Sequence, residues 1–209
     1  MRFVDRTDAG RRLAQLIGDR GQPPPVVVAL PRGGVPVAAE IARALGAPLD
    51  VLVVRKLGHP QQPELGVGAV GEGGVTVLNE ALLRRTELDP AALSAIEARE
   101  REEVARRVAR YRGDRPRVPV TGRTVIVVDD GLATGFTARA AVELLRRAGA
   151  GRVVLAVPVA PPDTLAALRP LVDELVCLHS PAEMWAIGQW YEDFTQTTDD
   201  EVTRLLAPG

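Results

Sequence analysis

The sequence predicts an α/β protein built on a doubly wound, mostly parallel sheet, with a small hood or lid lobe. Short runs rich in β-branched residues, at 26–30, 123–128 and 152–158, alternate with segments of helical periodicity, the order of a parallel sheet with helical crossovers. These runs are apolar throughout rather than at every second position, which suits strands buried on both faces. Two of them lead straight into glycine-containing turns with charged residues, Pro31-Arg32-Gly33-Gly34 and Asp129-Asp130-Gly131. Open α/β sheets build their ligand sites at that carboxyl edge.

Taken in order, residues 8–20 carry a helical stripe of Ala9, Leu13, Leu16 and Ile17, which Pro23-Pro24-Pro25 stops. Residues 26–30 read as a strand, 35–45 as a helix stopped by Gly46, and 50–54 as a second strand. The Gly/Pro-rich stretch from 58 to 74 is long enough for a mobile functional loop or a hairpin, and 58–78 is assigned as that unit. Residues 88–112 form an inserted, highly charged helix whose apolar edge is Leu93, Ile96, Val104 and Val108. A helix at 137–148 lies between strands at 123–128 and 152–158; a helical turn at 164–168 precedes a last strand at 173–178. From Ser180 the character changes. Trp185, Trp190, Tyr191 and Phe194 place four of the chain's seven aromatics within ten residues, so 180–209 reads as a hood-like segment. The whole, 1–209, is one domain without repeats.

Composition narrows the function. A net charge of −1 over 209 residues gives no reason to expect nucleic acid or membrane as a partner. The apolar runs fall well short of the roughly 20 residues of a membrane helix. The charged start from Arg2 to Asp8 is unlike a secretory signal, so a cytoplasmic location is expected. The single cysteine, Cys177, lies in an apolar run and reads as a core residue. Two histidines are too few for a typical zinc site. All but one of the 26 basic residues are arginine, the exception being Lys56, and there are 17 prolines; GC-rich coding and adaptation to heat would each produce this bias. Gly66-Val67-Gly68-Ala69-Val70-Gly71 matches the dinucleotide pattern G-x-G-x-x-G, but no helix follows it, so the base of a hairpin is the better reading.

The most informative segment is Val125-Ile126-Val127-Val128-Asp129-Asp130-Gly131-Leu132-Ala133-Thr134-Gly135-Phe136-Thr137. A buried strand runs into two carboxylates, then a Gly/Thr turn, then a helix. The turn can offer backbone N–H groups, the Thr134 and Thr137 hydroxyls and a helix N-terminus to a phosphate. The carboxylates can accept hydrogen bonds from a diol such as ribose. The plainer alternative is an acidic pair that ends a strand and caps a helix. The segment resembles the phosphoribosyl-pyrophosphate (PRPP) signature of the type I phosphoribosyltransferases, in which an apolar run, an acidic pair and two small or apolar residues precede a small-Thr-Gly-x-Thr loop. It departs at Gly131, where that family usually has an aliphatic residue.

The resemblance implies a type I phosphoribosyltransferase-like fold and a glycosyltransferase that moves ribose-5-phosphate from PRPP to a nitrogenous base or related amine, releasing pyrophosphate, with Mg²⁺ as cofactor. It further implies that Ala133, Thr134, Gly135, Phe136 and Thr137 clamp the 5-phosphate. Asp129 and Asp130 would hold the ribose hydroxyls and, through ribose or water, the metal. Arg32 and Gly33, in a turn that otherwise reads as an ordinary strand-to-helix connection with a solvated arginine, would hold the pyrophosphate. The layout, with its Arg-Lys-Leu-Gly-His-Pro and Trp-Tyr-x-Asp-Phe segments, is similar to an uncharacterised bacterial subgroup of the family.

Other candidates stay open. Lys56, expected to close the second strand, is either a catalytic cation meeting pyrophosphate or a snorkelling surface residue. His59, with Gln61, Gln62 and Glu64 in the expected loop, either donates to the leaving group or is idle. Trp190 and Tyr191 either stack on an acceptor base or, as Trp185 is expected to do, build a small core holding the tail. The charged helix at 88–112 could pack against a second copy. The main rival function is a non-catalytic regulator that binds PRPP or a nucleotide; a hydrolase and an unrelated phosphosugar enzyme are the others.

Overall fold

The computed structural model describes residues 2–18, 23–86 and 88–207, the side chains of residues 63 and 64 excepted. In chain order the strands are β1 (Val26–Ala29), β2 (Leu49–Val51), β3 (Val54–His59), β4 (Gln62–Gly71), β5 (Thr76–Leu78), β6 (Thr124–Val128), β7 (Arg152–Val159) and β8 (Glu174–His179). The helices are α1 (Arg6–Ile17), α2 (Gly34–Leu45), α3 (Glu80–Thr86), α4 (Pro90–Arg112), α5 (Phe136–Arg147), α6 (Pro162–Leu168) and α7 (Asp199–Leu206).

The central sheet is fully parallel, in the order β2-β1-β6-β7-β8. Alternate residues serve opposite faces, as the strand period requires. Val27, Ala29, Ile126, Val128, Val154 and Ala156 join α1 and α2 in one core, while Val26, Val28, Val125, Val127, Val153 and Leu155 join α5 and α6 in the other. The sheet is therefore doubly wound, and its strand order reverses between β1 and β6.

Local chemistry sets the helix limits. Asp5 accepts the backbone N–H of Asp8 and starts α1 two residues before the expected position, and Gly18 ends it at Ile17; of the expected helix 8–20, residues 19 and 20 lie outside the described residues. Leu16, placed in the apolar stripe by the sequence, is instead exposed. Gly46 adopts the left-handed conformation that closes α2.

The expected second strand, 50–54, divides. β2 ends at Val51, and the chain turns at Leu52 and Val53 into a separate antiparallel sheet ordered β3-β4-β5. The glycine-rich stretch takes the hairpin form, with a register shift near Gly58. Its glycines admit close packing: a methyl group on Gly68 would meet the Val77 carbonyl oxygen at 2.7 Å. α3, absent from the sequence reading, follows it.

A buried ionic cluster fastens this outer sheet to the core. From the last turn of α4, Arg112 donates to Asp50 (3.1 Å), to both carboxylate oxygens of Glu72 (2.9 and 3.1 Å) and to the Val51 carbonyl (2.8 Å). The backbone N–H groups of Val118 and Val53 donate to the two carboxylates. The remaining lone pairs are thus largely satisfied, which is what makes burial of these charges tolerable.

The tail returns across the start of the chain. Phe3 pairs with Tyr191 in a parallel bridge, and Glu192 and Asp193 donate backbone N–H groups to the carbonyls of Phe3 and Val4. α7 then packs on α2 and α4. Trp185 takes no part in the small core expected of it and is 88% exposed.

Candidate functional site

β1 and β6 lie side by side in register, Ala29 beside Val128, so the turns that follow them meet at the point where the sheet order reverses. Ligands of open α/β sheets bind in the crevice at such a point. The contact is intimate. A methyl group on Gly34 would meet the Val128 carbonyl oxygen at 2.6 Å, and one on Gly33 would overlap Asp130 Oδ2. Both glycines are therefore needed for the Arg32 turn to lie against the acidic pair.

Asp129 and Asp130 differ in their surroundings. Asp129 is half-buried, and its Oδ1 accepts the Asp130 backbone N–H at 2.9 Å. Desolvation, and then the negative charge of Asp130, raise its carboxyl pKa well above the usual range. Asp130 is buried, and burial raises its pKa too, against the pull of Arg6. Arg6 Nε donates to Asp130 Oδ2 at 2.8 Å, and Nη1 donates to the Thr195 carbonyl at 2.8 Å. The guanidinium lies 4.0 Å from the centre of the Phe194 ring. The Tyr191 hydroxyl donates to the Asp130 carbonyl at 2.6 Å, and burial raises the pKa of that phenol.

The turn from Ala133 to Thr137 is built by long-range contacts. Gly135 has φ +68°, and a methyl group there would meet Thr164 Cγ2 at 2.8 Å. Thr164 Oγ1 donates to the Ala133 carbonyl at 2.7 Å and pins the turn from α6. Ala133, Thr134 and Thr137 are exposed and Phe136 half-buried. α1, α4 and α7 are capped by the side chains of Asp5, Asp89 and Thr198; α2 and α5, which follow β1 and β6, have no such cap. At the start of α2 the N–H groups of Gly34 and Val35 instead donate to the carbonyls of Leu30 and Arg32, so it is the start of α5 whose lack of a side-chain cap suits an anion.

Gly131, the departure from the family pattern, has φ +154°, and a methyl group there would meet Ile187 Cγ2 at 2.6 Å. The tail lies over this position, and an aliphatic residue would push it away. Arg32 is half-buried with Nη1 3.6 Å from Asp199 Oδ1. Asp199 also accepts from the Tyr111 hydroxyl at 2.8 Å.

Lys56 does not close a core strand. It lies inside β3 opposite Ala69, and its Cδ and the Phe136 ring both border Gly66, which brings the lysine to the first turn of α5. His59 is buried rather than exposed in a loop, with Nδ1 accepting the Gln61 N–H at 3.2 Å. The Glu64 side chain lies outside the described residues. Tyr191 is a core residue, 3% exposed between Phe3 and Phe194, so its ring faces are not available for stacking on a base. Trp190 is half-buried and stacked on His179, and among the described residues its indole N–H has no acceptor. Cys177 is half-buried, its thiol donating to the His179 carbonyl. A concavity of about 480 Å³ lies at the far end of α2, beside Gly46 and Leu205. A 12-residue helix puts it about 18 Å from the acidic pair, so volume does not mark this site.

Arg6, Thr164, Ile187 and Asp199 are the residues that the sequence reading missed. Each acts over more than thirty positions of chain, and none stands in a local motif. The Asp5 cap ahead of α1, which fixes where Arg6 points, was the one readable signal.

Comparison with known proteins gives the family. Residues 5–191 match the model of the phosphoribosyl transferase domain. Two proteins of Mycobacterium tuberculosis, from strains CDC 1551 and H37Rv and provisionally named phosphoribosyl transferases, are 55% identical over 204 residues, 98% of this chain. The chain spans 46% of their length. The crystal structure of TT1426 from Thermus thermophilus is 45% identical with a TM-score of 0.88, covering 99% of this chain and 98% of that one. The match over residues 5–191 and the 55% identity over 98% of the chain make this protein a member of the phosphoribosyl transferase domain family.

Proposed function

We propose that the protein transfers ribose-5-phosphate from PRPP to a small nitrogenous acceptor and releases pyrophosphate. The observation that carries this reading is the apposition of the Arg32-Gly33-Gly34 turn and the Asp129-Asp130 pair at adjacent strand ends, beside the uncapped start of α5. The turn from Ala133 to Thr137 takes the 5-phosphate on its N–H groups and the Thr134 and Thr137 hydroxyls. Asp129 accepts from the ribose hydroxyls. Arg32 and the backbone at Gly33 receive the pyrophosphate as the C1–oxygen bond breaks and the acceptor nitrogen bonds to C1. Positive charge grows on the ribose ring and negative charge on the leaving group, so the protein's contribution is positioning and charge stabilisation.

Among the described residues no group of three His, Cys, Asp or Glu could form a protein cage for a metal. Two adjacent carboxylates suit a magnesium ion held mostly by substrate oxygens and water. Such an ion, when bound, neutralises charge on the pyrophosphate. Trp190, with its unpartnered indole N–H, is the acceptor-side candidate.

Calorimetric titration with PRPP, with and without Mg²⁺, followed by pyrophosphate release over a panel of purine, pyrimidine and simple amine acceptors, tests the proposal. Magnesium-dependent binding with acceptor-dependent release is expected. Binding without release for any acceptor would favour the regulator reading, and no binding at millimolar PRPP would overturn the ligand assignment.

A further inference from the structure

The acidic pair is not two equivalent carboxylates. Asp130 is engaged before any ligand arrives: one carboxylate oxygen, Oδ2, is held by Arg6 at 2.8 Å, the backbone carbonyl is held by the Tyr191 hydroxyl at 2.6 Å, and Oδ2 occupies the space that a side chain at Gly33 would need. Arg6 is committed as well. Its side chain is 11% exposed, bonded to the Thr195 carbonyl and stacked on Phe194. The fork geometry that serves one carboxylate, one carbonyl and one aromatic face at once is particular to arginine. Among the described residues Asp129, which is half-buried, has no cation among its hydrogen-bond partners.

Resting on the functional reading above, we infer that Arg6 is a positioning residue which withdraws Asp130 from the substrate, so that Asp129 alone meets the ribose diol while the Arg6–Asp130 pair sets the Arg32-Gly33 turn. A buried carboxylate is stable only with a partner. With Arg6 in place, the Asp130 carboxylate is a fixed wall behind Gly33, and the pyrophosphate turn keeps its distance from Asp129. Without Arg6 the same carboxylate is a buried, uncompensated charge behind a turn that must receive a polyanion. The pair also joins segments distant in the chain: the first residue of α1, the end of β6 and the tail at 191–195. The pyrophosphate turn is thereby positioned by both ends of the described chain.

The test is a second-site cycle on the full chain. Wild type, R6M, R6K and R6M/D130N are compared for PRPP affinity by calorimetry and for KM and kcat of pyrophosphate release, after circular dichroism and thermal melting show each to be folded. R6M is expected to weaken PRPP binding about tenfold or more, as loss of a supporting partner behind a binding group does, with R6K between it and wild type. R6M/D130N is expected to recover most of the lost affinity, because the neutral amide that D130N introduces needs no counter-charge. If Asp130 itself binds ribose, the double variant binds more weakly than R6M, and the inference falls while the transferase reading stands. R6M with wild-type KM and affinity would also overturn it. Failure of wild type to bind PRPP would remove the functional reading and this inference together.

Discussion

Asp129 is a carboxylate kept where water is scarce and where the next residue carries a second negative charge. Its position is useful only to a ligand that donates hydrogen bonds, and the folded protein is destabilised by holding it ionised. Because the folded pKa is raised, the folded state holds the proton more tightly than the unfolded chain. Below about pH 4, the unfolded value, both states are protonated and there is no penalty. The penalty grows as pH rises from there to the folded value, and above that value it is constant because both states are ionised. D129N keeps the acceptor oxygen for the Asp130 N–H and removes the charge. It is expected to stabilise the protein by about 1 kcal/mol at pH 8 and by little at pH 4, while abolishing productive PRPP binding. Thermal melts of both proteins across that range decide it. A D129N variant no more stable at pH 8 than at pH 4 would show that Asp129 carries no such penalty.

At the scale of elements, what could be read from sequence was what has a local period. β1, β6 and β7 are continuous β-branched runs, and α2 and α5 follow glycine turns, so the central sheet and its carboxyl-edge turns were legible. The hairpin was legible at its base, residues 66–71, but the limits and pairing of β3, β4 and β5 were not, because Gly58, Gly66, Gly68 and Gly71 erase the alternation of a strand; the pairing is specified by partners across the hairpin. The cluster that anchors them is silent for the same reason: Asp50, Glu72 and Arg112 lie 22 to 62 positions apart and meet only in the fold. R112M would leave two buried carboxylates unpaired and is expected to cost about 3–5 kcal/mol. R99A, at a surface pair with Arg99 72% exposed, should cost less than about 1 kcal/mol. Urea midpoints of the two variants check this contrast, and equal losses would deny the cluster its anchoring role. β3 carries Lys56 to the start of α5. If that lysine steadies the departing group, K56A lowers kcat at least about tenfold with little change in PRPP affinity. Wild-type turnover in K56A would return it to the surface-residue reading.

At the scale of the whole molecule, the site is closed by chain that lies far from it in sequence. Ile187 covers Gly131, Tyr191 ties the Asp130 carbonyl, and Thr195 and Phe194 hold Arg6, which opens α1. The sequence showed the aromatic cluster of this tail but not its target, since nothing local in Trp190 or Tyr191 says whether a ring meets a base or a neighbouring helix. In the fold, Tyr191 meets Phe3 and Phe194. Ligand binding should therefore be felt as one event across the turns, the first turn of α1 and the tail. PRPP at a hundred times its dissociation constant, with Mg²⁺, is expected to add about 2.7 kcal/mol to stability if it binds only the folded state. Hydrogen exchange reports where that stability is expressed. Amides at 133–138 and that of Gly33 gain protection if they hold phosphates. The Glu192 and Asp193 amides, already bonded to Phe3 and Val4, gain it only if the tail is coupled to the site. Protection confined to the turns would mean that the tail is a static cover; protection reaching Glu192 and Asp193, and lost in R6M, would mean that the ends of the described chain tighten when the substrate is held.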